Sequence, residues 1–143
     1  MCSGISRPAL ADAAEIVRDV VVLADDLIWG TRLSEAITAA GARARPARRL
    51  VDLQRLLAAG AGVDGGEGVA GAGFAIVDLT ARAYDGIEAV RLAAGSGARV
   101  VAVGQHDDAA LRRAAIEAGA ERVYTYRALF EDGPRALAAW LAR

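Results

Sequence analysis

Short apolar runs alternate along this chain with longer stretches whose apolar residues recur at helical spacing, the pattern of βαβ units around a parallel sheet. Val20-Val21-Val22-Leu23-Ala24 is continuously apolar, as a strand covered on both faces requires, and it ends in Asp25-Asp26. Leu33, Ile37 and Ala40 then mark a helix stopping at Gly41. Ala42 to Arg48 alternates alanine with arginine and contains Pro46, which suits an edge strand because proline donates nothing to a ladder. Leu50, Leu53, Leu56 and Leu57 predict a helix ending near Gly60, and the glycine-rich stretch from Gly60 to Gly73 predicts a loop. Phe74-Ala75-Ile76-Val77 is the next strong strand and also ends in aspartate, Asp78. A short helix over Gly86 to Ala94 follows, then a strand over Arg99 to Val103 and a helix capped by Asp107 or Asp108 that runs to Gly119. Arg122 to Tyr126 reads as the last strand, and Pro134 opens a terminal helix that buries Leu137, Trp140 and Leu141.

Strands and helices alternate strictly from Val20 onward, which predicts a flavodoxin-like, doubly wound α/β fold. The expected architecture is a five-stranded parallel sheet of order 2-1-3-4-5 in three α/β/α layers. The domain should span 20–143. Residues 1–19 form an extension in which Ala9 to Arg18 suit an extra helix.

At 143 residues the chain has the size of one domain. Its hydrophobic fraction of 55% is carried largely by alanine, and no run is apolar enough to span or anchor in a membrane. The start, Met1 to Pro8, lacks the apolar core of a secretory signal, so a cytoplasmic location is expected. A net charge of -1 argues against nucleic acid as a partner. Cys2 is the sole cysteine, which excludes a disulfide framework. All 17 basic residues are arginine, so no chemistry that needs a lysine ammonium is available.

Ligands of open parallel sheets bind at the carboxyl ends of the strands, which here carry Asp25-Asp26, Asp78, Gly104 and Tyr126. Converging carboxylates repel unless a cation intervenes, and a hard ion such as Mg²⁺ takes such oxygens. On that logic, relieving the repulsion with Asp78→Asn should stabilise the metal-free protein. The alternative is that Asp25 and Asp26 cap the first helix and Asp78 the third, since aspartate is a favoured N-cap.

Asp78-Leu79-Thr80-Ala81-Arg82-Ala83-Tyr84-Asp85-Gly86-Ile87-Glu88 resembles the phosphoacceptor segment of response-regulator receiver domains. Asp25-Asp26 is similar to their acidic pair, Arg32 to the arginine often found in the following helix, and Ala118-Gly119-Ala120-Glu121 to the approach to the last strand. The similarity runs from about Val20 to Leu141. It implies that Asp78 is the phosphoacceptor, attacking a phosphohistidine of a sensor histidine kinase, and that Asp25, Asp26, Asp78 and the carbonyl of Thr80 hold Mg²⁺, weakly. It also implies a protein partner, or a second copy in a homodimer, on the face built by the fourth helix, fifth strand and fifth helix, from Asp108 to Ala142.

The departures matter as much. Gly104 stands where the family has a serine or threonine hydroxyl that grips the phosphoryl group, and Tyr126 where it has a lysine. Val123 replaces the switch aromatic. The expectation is therefore an atypical, stand-alone receiver that acts through protein contacts and is not an enzyme. The alternative is a small phosphotransfer or phosphatase-like enzyme with Asp78 as nucleophile.

Other signals are set aside. Gly60 to Gly65 matches G-x-G-x-x-G, but it follows a helix and leads to a strand, the reverse of a dinucleotide site. His106, the sole histidine, lies in an exposed loop, and the loop after the first strand offers no histidine for cobalamin. Trp29, Tyr84 and Tyr124 read as packing or rim residues, with Trp29 placed to shield the acidic pocket.

Overall fold

A computed structural model describes residues 17–58, 72–105 and 107–143. Strands β1 (Asp19–Leu23), β2 (Arg43–Ala47), β3 (Phe74–Asp78), β4 (Arg99–Gly104) and β5 (Arg122–Thr125) alternate with helices α1 (Leu27–Ala39), α2 (Leu50–Ala58), α3 (Gly86–Gly95), α4 (Ala109–Ala118) and α5 (Tyr126–Ala142). All strand pairs are parallel and their order is β2-β1-β3-β4-β5, the doubly wound arrangement expected.

The period-two rule divides the core. Val21 and Leu23 of β1 face a cluster with Leu53, Val90 and Ala115 from α2, α3 and α4. Val20 and Val22 face the opposite cluster, with Leu33 and Ile37 of α1 and Leu129, Leu137 and Trp140 of α5. Pro46 lies in β2, which pairs only with β1, so its missing N–H costs no ladder bond on the open side.

Two glycines explain why parts of the sequence signature read as they do. A Cβ on Gly86 would stand 2.8 Å from the Leu79 Cα, so only glycine lets α3 start this close to the end of β3. Gly119 ends α4 with φ +125°, and a Cβ there would meet the Ala94 Cβ of α3 at 2.5 Å.

The terminal helix departs from expectation. β5 stops at Thr125, whose hydroxyl accepts the Ala128 N–H at 3.0 Å and caps α5, so Tyr126 opens the helix instead of closing the strand. Asp132 (φ -145°, ψ 27°) interrupts the helix, and Pro134 opens its second segment, where a missing N–H is tolerated.

The extra helix expected from Ala9 falls outside the described residues, apart from Val17 and Arg18, which are not helical. The Gly60 to Gly65 motif and His106 also lie outside them. No helix among the described residues is long and apolar enough to cross a membrane.

Candidate functional site

Where β1 and β3 end, the chain leaves in opposite directions and a polar cavity of about 750 Å³ opens, lined by Asp25, Asp26, Trp29, Asp78, Thr80, Arg82, Gln105 and Tyr126. The β1–β3 register sets Leu23 beside Val77, which brings both acidic strand ends to one mouth. A groove of about 560 Å³ between α1 and β2 shares Asp26 but is otherwise mostly apolar. The groups capable of chemistry converge in the polar cavity.

Asp78 closes β3 and is only 2% exposed. Its Oδ1 accepts the Thr80 N–H and the Thr80 hydroxyl, each at 3.0 Å, and the Tyr126 hydroxyl as well. The Thr80 and Tyr126 hydroxyls also touch, so three oxygens share two protons in one small triangle. Burial, and then the bond to Asp78, pushes the Tyr126 phenol above its ordinary range and keeps it a donor.

The other two carboxylates are also engaged. Asp25 Oδ2 accepts the N–H groups of Arg82 and Ala83 at 2.8 and 2.9 Å, tying the β3–α3 loop to the end of β1. Asp26 Oδ1 caps α1 by accepting the Trp29 N–H at 3.0 Å. The capping alternative thus holds for Asp26. It fails for Asp78, because Asp85 caps α3 through the Ile87 and Glu88 N–H groups.

The pocket's outer wall is aromatic. Trp29 packs on Tyr126 with ring centroids 4.4 Å apart, and the Arg32 guanidinium lies 5.7 Å from the Trp29 centroid and 4.8 Å from that of Phe130. Behind the site Tyr84 is buried in the core, its hydroxyl donating toward the Leu23 carbonyl oxygen at 2.9 Å and that of Asp78 at 2.8 Å. Burial drives this phenol far above its ordinary range too. Gly104 ends β4 beside Thr125, and a Cβ there would find ordinary contact with Leu79 Cδ1 at 3.5 Å. There is room for a side chain at this position.

Asp25, Asp26, Asp78 and Thr80 therefore line one cavity. Among the described residues, no group of three or more His, Cys, Asp or Glu side chains is placed to hold a metal ion by itself. Thr80 turns its N–H and hydroxyl to Asp78, a role for which its place in the sequence gave no sign. Tyr84 is a buried core residue, as its reading as a packing residue expected, and its hydroxyl bridges the carbonyls at the ends of β1 and β3.

No protein-family model matches the chain, and no curated protein matches it in sequence. Solved structures of similar fold include response-regulator receivers. The BeF3-activated DrrB receiver domain, DrrB being a Thermotoga maritima protein, is 18% identical with TM-score 0.68, over 90% of this chain and 100% of its own. A LuxR-family two-component response regulator from Aurantimonas sp. SI85-9A1 is 22% identical with TM-score 0.70, over 88% and 86% respectively. A response regulator from Burkholderia pseudomallei, solved with a phosphorylated aspartic acid, calcium ion and citrate, is 17% identical with TM-score 0.63, over 87% and 71%. The fold is that of CheY-like receiver domains.

Proposed function

We propose that this chain is an atypical receiver domain, a cytoplasmic signalling module of a phosphorelay-type system that works through protein contacts. The observation that carries the proposal is Asp78 at the receiver phosphoacceptor place with its Oδ1 held by the Tyr126 phenol, where the family has a lysine. A neutral phenol donates a bond weaker than an ammonium's by about a factor of two, so it couples poorly to a phosphoryl group. Gly104 adds no hydroxyl. A histidine kinase is the phosphodonor for Asp78 in this reading, and Asp25, Asp26, Asp78 and Thr80 hold Mg²⁺ weakly.

The partner face is α4, β5 and α5, on which Ile116 and Phe130 are exposed apolar side chains that a protein partner or a second copy would cover. The test is to record amide NMR spectra in Mg²⁺ before and after adding acetyl phosphate or beryllium fluoride. Shifts confined to the loops around Asp26 and Asp78 are expected. Broad changes from Gly104 through Leu141 would show a conventional phosphorylation switch and overturn the proposal.

A further inference from the structure

The acidic cavity and the absence of a ligand cage in it pose a question of charge: what stabilises carboxylates gathered at one mouth? Each of them has an internal donor. Asp25 takes two loop N–H groups, Asp26 takes the Trp29 N–H in the first turn of α1, and Asp78 takes the N–H and hydroxyl of Thr80. Tyr126 differs from these donors in kind, because it comes from another element, α5, and reaches Asp78 across the cavity. It is held there by Trp29, which packs against its ring at 4.4 Å. Asp78 Oδ2 receives no hydrogen bond among the described residues, so a cation entering the cavity would find that oxygen open and Oδ1 already engaged by the phenol.

We infer that the Tyr126 hydroxyl competes with a divalent cation for Asp78, so that the phenol is what makes metal binding in this pocket weak. A hard cation needs carboxylate oxygens that face it with open lone pairs. The phenol takes a lone pair of Asp78 Oδ1 and supplies a proton where a cation would supply charge. Asp25 and Asp26 are turned to backbone N–H groups and do not converge with Asp78 into a ligand set. The inference rests on the receiver-like reading of the pocket and adds a residue that decides its metal dependence.

Tyr126→Phe removes one oxygen and keeps the ring against Trp29. MgCl2 titrated calorimetrically into the unaltered chain and into Tyr126→Phe, with no phosphodonor present, reads the effect directly. Removing a donor to a charged group should raise the apparent affinity of the variant about tenfold. MnCl2 should then broaden the amide signals of Asp26, Asp78 and Thr80 in the variant, and adding Asp78→Asn to it should abolish the gain. Circular dichroism of each variant checks that the fold is intact. Equal affinity in the two proteins, whether both bind or neither does, would overturn the inference, as would broadening centred away from Asp78. The failure of this titration leaves the receiver reading standing, since that reading depends on how Gly104 through Leu141 respond to a phosphodonor.

Discussion

Asp78 shows how much a side chain's partners change what its removal does. Carboxylate crowding alone predicts that Asp78→Asn stabilises the metal-free protein, but Oδ1 accepts from Thr80 twice and from Tyr126 once. Replacing the carboxylate weakens charge-assisted bonds, so Asp78→Asn should lower stability by about 1 kcal/mol, read as a reduced urea midpoint at an unchanged slope. A raised midpoint would mean that repulsion among the carboxylates outweighs those bonds. Tyr84→Phe should cost about 1 to 2 kcal/mol, because the carbonyls of Leu23 and Asp78 lose a buried donor. The same urea titration measures it.

At the scale of elements, what matters is how closely one piece approaches the next. α3 begins against the backbone of Leu79, with no space for a methyl group on Gly86. Gly86→Ala should therefore destabilise by about 2 kcal/mol, although alanine is the better helix former, and should shift the β3–α3 loop amides that hold Asp25. A variant as stable as the parent, by thermal melting, would mean the two elements can separate at no cost. The boundary between β5 and α5 has a larger consequence. One residue decides whether Tyr126 ends a strand or starts a helix, and Thr125 decides it by capping. From the first turn of α5, the phenol reaches Asp78.

For the whole molecule, stability should depend on pH at both extremes. Glu121 is held below its ordinary range chiefly by hydrogen bonding to Arg99. Burial raises Asp19, but Arg43 and Arg45 outweigh it and leave its pKa lowered. Both are groups with depressed folded values, so their contribution is present above the ordinary values of 4.5 and 3.8 and is lost as pH falls below them. Tyr84 and Tyr126 are raised, so their contribution is present below the ordinary value of 10.0 and erodes as pH rises above it. Tyrosinate absorbance should therefore appear together with the loss of circular dichroism on alkaline titration, with a smaller coupled step in Tyr126→Phe. Ionisation of these phenols well before unfolding would show that they are open to solvent.

The amino-acid sequence by itself determined the sheet, its order, and the strand ends at which Asp25, Asp26 and Asp78 meet. Apolar runs of strand length can be buried only between helices, and ligands of such sheets sit where the strands end. It also marked Gly104 and Tyr126 as departures, because a missing hydroxyl and a missing ammonium are visible as residue types. Only the tertiary structure decided what the carboxylates do. Asp26 caps a helix, Asp25 holds a loop 57 positions away in sequence, and Asp78 meets a phenol 48 positions away. Hydrogen bonds over that separation depend on ångström-scale placement of loops and helix starts, which periodicity and spacing along the chain do not encode.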